Sequence, residues 1–374
     1  MELLSLSTSS FRNLSSSVVR WMNGANLVLG GNGQGKTNLL EAVVLLATLR
    51  SFRTANLRRV VRHQESCFRL EGEVRSGSGS QTLSQVVEVG PPARRELAIN
   101  GARVEVGPYL SAFPICTITP GDAELVTGVP EQRRSFLDRF SFLLDESHLQ
   151  ALRRFRRALR QRNSALRAGW SDCDLAVWDE ELARSAAVVV ARRLQATARL
   201  QLSFRDVYAT LSCGRFPEIE IAYRGEGWAV AERSTDEMRE SYLERLLAGR
   251  SRDRDSGYTV EGPHRHDLAL KAEGRLARDV LSSGQVKVVS AALRLSTLAE
   301  LEQVRGETLP VVVDDVDSAL DHATLRSLLG YLGGDRQLLL SSSRREVLVD
   351  LVDASTEVWV SHGVCRQGPG SEHP

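Results

Sequence analysis

The residues with the clearest capacity for chemistry stand at 30–37. Gly30-Gly31-Asn32-Gly33-Gln34-Gly35-Lys36-Thr37 fills every position of the G-x-x-x-x-G-K-[ST] spacing. Glycines let the backbone turn tightly and aim its N–H groups inward, which makes a nest for phosphate oxygens. Lys36 is placed to reach the β- and γ-phosphates of a nucleoside triphosphate, and the Thr37 hydroxyl to hold Mg²⁺. The short apolar run Leu27-Val28-Leu29 reads as a strand leading into the loop. From Asn38 to Leu49 the pattern is that of a buried helix, whose N-terminus adds positive potential at the same point. A nucleoside triphosphate with Mg²⁺ is therefore the expected ligand.

Such a loop needs a carboxylate partner at the end of a buried strand. Leu309-Pro-Val-Val-Val313 followed by Asp314-Asp315 supplies it. Asp314 is placed to hold Mg²⁺, and Asp315 to orient or deprotonate attacking water. About 30 residues earlier, Leu281-Ser282-Ser283-Gly284-Gln285 opens a helix. It reads either as an ordinary serine-capped helix start or as a second phosphate-binding element. In the second reading Ser282, Gly284 and Gln285 cap the γ-phosphate held by another copy of the chain. Ser318-Ala-Leu-Asp321 would lie at the same junction.

These elements need a scaffold. The apolar segments 3–6, 18–21 and 27–29 predict strands. Residues 67–75 and 82–89 alternate with period two around Ser76–Ser80, and 96–99 and 102–106 flank the turn pair Asn100-Gly101, so two hairpins are expected. From 131 to about 211 strand signals vanish. Leu149, Leu152, Phe155 and Leu159 mark one helix, and 178–202 a second. Strand 216–224, helix 234–249, a polar stretch 250–256 and a hairpin-like segment 257–271 follow. Helix 285–304, strand 309–313, helix 322–333 and strands 337–341 and 356–361 close the chain, with a Gly/Pro/Ser-rich tail from Gly363 expected to be disordered. The expected fold is α/β: a nucleotide-binding head (1–119 and 256–374) with an antiparallel β subdomain, split by a mostly helical lobe (120–255).

Lys+Arg is 48 against 47 for Asp+Glu, so overall charge neither demands nor excludes nucleic acid and local clusters must decide. The densest is Arg153-Arg-Phe-Arg-Arg-Ala-Leu-Arg-Gln-Arg162, with Arg167 beyond it. On a helix Arg153, Arg157 and Arg160 share a face (i, i+4, i+7), a row suited to DNA phosphates. A second cluster holds Arg50, Arg53, Arg58, Arg59 and Arg62. The five cysteines show neither C-x-x-C pairing nor metal-ligand spacing. Without a leader pattern or a ~20-residue apolar run, a soluble cytoplasmic protein is expected.

Loop, long insertion, Leu-Ser-x-Gly-Gln, Asp-Asp and Ser-Ala-Leu-Asp, in that order, resemble the SMC-like branch of ABC-type ATPases. Phe11-Arg-Asn-Leu14, Gly33-Gln-Gly-Lys-Thr-Asn-Leu-Leu-Glu-Ala42, Ser51-Phe-Arg-Thr54, Asp122-Ala-Glu-Leu-Val126, Arg133-Arg-Ser-Phe-Leu-Asp138, Gln161-Arg-Asn163, Trp178-Asp179 and Gly262-Pro-His-Arg265 are similar, within that branch, to the RecF family. The resemblance implies an ABC-type head with a helical lobe and ATP-driven homodimerisation, two nucleotides being held between loop and opposing signature. It implies binding to duplex DNA and single-strand/double-strand junctions without sequence specificity, and weak DNA-dependent hydrolysis of ATP to ADP and phosphate. It also implies a role in replication, recombinational repair and the SOS response, with RecR, and with RecO and RecA, as partners. By position it assigns Lys36, Thr37, Asp314, Asp315, Ser282, Gly284 and Asp321 the roles given above, and places Asp122 in the Q-loop region.

The chain departs from the family pattern at Val286 and Lys287, where Gln and Arg are usual. It departs again at His266, where an acid is usual, and at Ser341–Ser343, where a switch Thr or His would sit. These changes bear on turnover. Two other readings stand beside this one: a divergent, non-hydrolysing scaffold of the same fold, and another P-loop enzyme such as a nucleotide or small-molecule kinase.

Overall fold

The computed structural model describes residues 1–225, 234–316 and 321–368. In chain order the strands are β1 (Glu2–Ser9), β2 (Ser17–Arg20), β3 (Ala25–Leu29), β4 (Cys67–Ser76), β5 (Gly79–Glu88), β6 (Arg94–Ile99), β7 (Ala102–Arg103) and β8 (Cys116–Ile118). Then come β9 (Ile219–Arg224), β10 (Asp267–Ala272), β11 (Arg275–Leu276), β12 (Val311–Val313), β13 (Leu338–Ser342), β14 (Ala354–Ser361) and β15 (Val364–Gln367). Met1–Ala123, Phe204–Phe216 and Ser282–Pro374 form one compact unit; Glu124–Ser203 and Pro217–Leu281 form the other. Segment 256–281, grouped on sequence with the head, thus belongs to the second unit, where β10 pairs with β9.

The first unit, the head, contains two six-stranded sheets. One is antiparallel in the order β2-β1-β4-β5-β6-β7, the other runs β15-β14-β3-β13-β12-β8. In the second, β14, β3, β13, β12 and β8 are parallel. Strands β3, β12 and β13 are buried on both faces, which is why they read as unbroken apolar runs, whereas β4 alternates buried and solvated positions. The Asn100-Gly101 turn has positive φ at both residues (51° and 78°), as a tight hairpin requires. Helix Lys36–Thr48 packs against strands of both sheets. Gln337, just before β13, exchanges two 2.8 Å bonds with the backbone of Leu3 on β1, tying the two sheets together.

Several expectations about the head need correction. Strand signal at 102–106 gives way after Arg103 to a helix, Val106–Ala112. The tail is ordered as far as 368: Val364–Gln367 pairs antiparallel with β14 after a turn at Gly363, which takes φ 79°. Residues 369–374 lie outside the described residues.

The second unit, the arm, is built from helices Pro130–Leu144, Ser147–Arg167, most of Asp172–Ser212, Thr235–Ala248 and Arg250–Ser256, with a small sheet β11-β10-β9. The polar stretch 250–256 is therefore helical, and the hairpin expected over 257–271 is instead β10 paired with β9 and β11. Motifs that carried the family resemblance supply three largely buried ionic clusters here. Arg162 bonds Asp179 (2.6 Å), Asp253 (2.6 Å) and Thr259 (2.8 Å), and Asp179 also accepts from Arg250. Arg193 forks onto Asp138 (2.7 and 2.9 Å) and reaches the carbonyl of Pro263 (2.7 Å). Arg133 forks onto Asp267 at 2.8 Å twice.

His264 and His266 belong to this interior. Burial pushes their pKa down to about 4 and about 3. Burial alone would raise Asp138, but Arg193 and the His148 hydrogen bond outweigh it and hold the carboxyl at about 2. Below the usual histidine pKa of ~6.5 the unfolded chain takes up protons that the folded rings refuse, so acid favours unfolding. The urea midpoint of the arm is expected to fall steadily between about pH 6.5 and 4, while Asp138 stays ionised. A midpoint flat across that window would contradict this burial of neutral imidazoles.

Candidate functional site

The head brings the two sequence-predicted halves of a phosphate site into contact. Strand β3 delivers the loop. Gly30 has φ 143°, and a Cβ there would strike the carbonyl of Val360 on β14; Gly33 and Gly35 also take positive φ (77° and 123°). The sequence thus uses glycine where backbone geometry demands it. The Lys36 ammonium curls over the loop and donates to the carbonyls of Gly30 (2.7 Å) and Gly31 (3.0 Å). Helix Lys36–Thr48 starts there, with main-chain donors of its first turn directed at the same space.

Strand β13 separates β3 from β12, so the acid pair reaches the loop across one intervening strand. Asp314 is 3% exposed, and its carboxylate accepts hydrogen bonds from the hydroxyls of Ser341 and Thr37. Burial raises the Asp314 pKa, and those two hydroxyls only partly offset it. Asp315 has φ 53°.

Three further segments brace the loop. The Gly363 amide donates to the Gln34 carbonyl (2.9 Å), and the His362 amide to Gln34 Oε1 (2.7 Å). Asn13 donates to the same Gln34 carbonyl and accepts from Asn38 (2.7 Å). Arg53 donates to Asn38 Oδ1 (2.7 Å), while Arg12 forks onto buried Glu41 (2.9 and 2.7 Å). Asn13, His362 and Gly363 were not among the sequence-predicted site residues, because nothing local marks them as neighbours of a loop 21 to about 330 residues away. Gly363→Ala is expected to weaken nucleotide binding by about tenfold, since its Cβ would run into the Asn13 carbonyl and push the brace off Gln34. Titration with a fluorescent ATP analogue checks this, parental affinity being the contrary result.

The remaining candidates lie elsewhere on the head. Ser282 caps helix Ser283–Arg305 in a reciprocal capping box: its hydroxyl accepts from the Gln285 amide (3.3 Å), and Gln285 Oε1 from the Ser282 amide (2.8 Å). Gly284 is exposed, and a Cβ on it would meet open space. Val286 is buried in the head interior, so its lack of a donor carries no penalty there. Asp321 is spent as the cap of helix His322–Leu332, accepting from the Thr324 amide and hydroxyl at 2.9 Å each. Ser318–Leu320 lie outside the described residues. Asp122 is buried, holding the Thr119 amide (2.7 Å) and the Arg294 guanidinium (3.0 and 2.5 Å), so its carboxylate is taken up inside the head.

On the arm, Arg153, Arg157 and Arg160 are exposed along helix Ser147–Arg167 as expected. Arg162, read from sequence as part of the same basic run, faces inward and is fully buried. The second basic cluster is partly structural: Arg58 bonds the Val89 carbonyl and Arg62 the Leu14 carbonyl.

A glycine-rich loop, an acid pair one strand away, a signature-like helix start and an inserted helical arm define an ABC-type ATPase head of the SMC-like class. The RecF/RecN/SMC N terminal domain family matches residues 2–365. The protein named DNA replication and repair protein RecF from Anaeromyxobacter sp. (strain Fw109-5) is 35% identical over 365 residues, covering 97% of this chain and 98% of its own. The RecF of Vibrio cholerae (El Tor Inaba N16961) is 32% identical over 376 residues, covering 98% and 100%. A solved structure described as the recombination mediator protein RecF-ATP in the RecFOR pathway is similar with TM-score 0.89 and 28% identity, over 98% of this chain and 97% of that one. An Smc head bound to a ScpA domain, at 13% identity and TM-score 0.55, shares the fold. The chain belongs to the RecF family.

Proposed function

We propose that this protein is an ATP-gated DNA-binding protein of recombinational repair, in which ATP joins two copies of the chain on DNA and slow hydrolysis releases them. The observation that carries the nucleotide reading is the meeting of Thr37 and Asp314 beneath the loop. A relative described as RecF-ATP supports ATP as the nucleotide. Loop amides and Lys36 hold the β- and γ-phosphates, and Asn38 supports the loop through Asn13.

The residues also fit Mg²⁺. A buried carboxylate whose charge is disfavoured, touching a hydroxyl at the loop, is a donor pair that a cation would stabilise. Among the described residues no cluster of three or more His, Cys, Asp or Glu side chains could hold a metal alone, which suits an ion held chiefly by phosphates plus one carboxylate and one hydroxyl. Thr37 and Asp314 would hold Mg²⁺, which would supply charge neutralisation for the phosphates. Asp315 orients the attacking water.

Ser282, Gly284 and Gln285 complete the site of a second copy. Gly284 supports this: the described chain leaves open space where its side chain would be, and glycine is a poor choice in a first helical turn unless something external approaches closely. Asp321 stands at the same junction.

DNA is assigned to helix Ser147–Arg167. It has no acidic residue in 21, and Arg153, Arg157 and Arg160 run along one exposed face. At 100° per residue Arg156 and Arg167 fall within the same arc. Such a row reads backbone and shape rather than bases. RecR, with RecO and RecA, are the proposed protein partners, and the cytoplasm the proposed location; no described helix is long and apolar enough to cross a membrane.

Replacing Arg153, Arg157 and Arg160 by Ala is expected to lower the slope of log K against log salt by about 2–3, some 0.9 per lost phosphate contact, with ATP affinity unchanged. Fluorescence anisotropy on duplex and gapped DNA, with and without ATP, measures it. An unaltered slope would remove this helix from the DNA surface.

A further inference from the structure

We infer that Ser341 is a positioning residue of the nucleotide site, holding Asp314 and Asp315 in one fixed arrangement through a single hydroxyl. The inference rests on the ATPase reading above. Strand β13 lies between the loop strand β3 and the acid strand β12, and Ser341 stands one residue past the register pair Leu340–Val313. Its side chain is buried, at 1% exposed. The hydroxyl donates to Asp314 Oδ1 at 2.7 Å and accepts from the Asp315 amide at 2.8 Å.

A serine hydroxyl has one proton to give. With that proton committed to Asp314, its direction is fixed, and the oxygen is free to accept the Asp315 amide. Two consequences follow for the acid pair. Ser341 holds Oδ1 of Asp314 while Thr37 bonds the same carboxylate, so it is held from two sides, by strand β13 and by the first turn of helix Lys36–Thr48. Asp315 takes a left-handed backbone conformation, φ 53°, that is strained for an L-residue and persists where neighbours impose it. The bond to Ser341 is one such neighbour, and it anchors the backbone from which the Asp315 carboxylate projects. Ser341 thus acts through the two carboxylates and has no need to touch the nucleotide. Ser342 is engaged differently, with the Arg344 backbone (2.6 and 2.9 Å), so Ser341 and Ser342 are not interchangeable.

The test uses the full-length protein carrying Ser341→Ala, Ser341→Thr or Ser341→Val. Thr and Val have nearly the same shape and differ in the hydroxyl. Thr is expected to keep kcat within about threefold of the parent, whereas Ala and Val lower it about 10–100-fold, with ATP affinity of all three near parental. Apart from turnover, the Mg²⁺ concentration needed for half-maximal ATP-driven dimerisation is expected to rise about tenfold for Ala and Val but not Thr. Two results overturn the inference: Ala matching the parent in rate and Mg²⁺ dependence, or Thr as impaired as Val. A variant set losing stability, kcat and ATP affinity together makes Ser341 merely structural and also overturns it. If the parent itself neither binds nor hydrolyses ATP, the proposed function fails, and that is seen without reference to any variant.

Discussion

Asp314→Asn is expected to lower ATP hydrolysis on the order of 100-fold while leaving ATP binding nearly intact. The side chains have the same shape, so the change isolates charge and acceptor capacity. Asp314 is buried, accepting from Thr37 and Ser341. An amide there loses the negative charge that would grip Mg²⁺. Losing ~3 kcal/mol of transition-state stabilisation, within what metal-assisted charge neutralisation supplies, corresponds to that rate factor. Binding survives because the loop amides and Lys36 belong to β3 and the helix that follows it, not to β12. The nucleotide-free protein should be no less stable, since burial already penalises the ionised carboxylate. Single-turnover hydrolysis with a parallel melting curve checks both halves. A variant hydrolysing at the parental rate would mean that Asp314 holds no metal.

Arg162→Ala should cost the arm about 3–5 kcal/mol, the usual penalty for removing one partner of a buried ion pair. The loss comes less from the missing attraction than from what is left behind. Asp179 and Asp253 would lose their bonds to Arg162, and Thr259 its guanidinium partner, in an interior where Arg162 itself is fully buried. Arg250 still holds one oxygen of Asp179, which tempers the effect. Arg162→Lys should recover only part, because an ammonium cannot span both carboxylates as the planar fork does. Urea unfolding together with hydrogen exchange along helix Ser147–Arg167 measures it. A shift under about 1 kcal/mol would show the network to be dispensable.

These two residues show how unevenly the sequence discloses the fold. Asp314 is legible because its chemistry is local: four apolar residues and two acids, with a glycine-rich loop elsewhere in the chain. Arg162 is not. In sequence it closes a run of exposed arginines, and its partners Asp179 and Asp253 stand 17 and 91 residues away. Strands β3, β12 and β13 were visible as apolar runs, yet β8, only Cys116–Ile118, is too short to register as a pattern. Helix Arg250–Ser256 looked like a loop because all seven of its residues are polar, Arg, Asp and Ser without one apolar position. Ser282 and Gln285 illustrate a different limit: capping a helix and holding a neighbour's phosphate draw on the same atoms, so neither the sequence nor one folded copy separates the two roles. The brace at His362 and Gly363 was hidden behind a tail composition that resembles disorder until β15 pairs with β14.

The account turns on one loop being half a site. Sedimentation velocity of an Asp315→Asn variant, which should bind ATP without turning it over, tests that directly. The expected result is a 41.2 kDa monomer without nucleotide and a particle of twice that mass with ATP and Mg²⁺, the shift being lost when Ser282→Arg is added. A monomer under both conditions, with ATP bound, would contradict it.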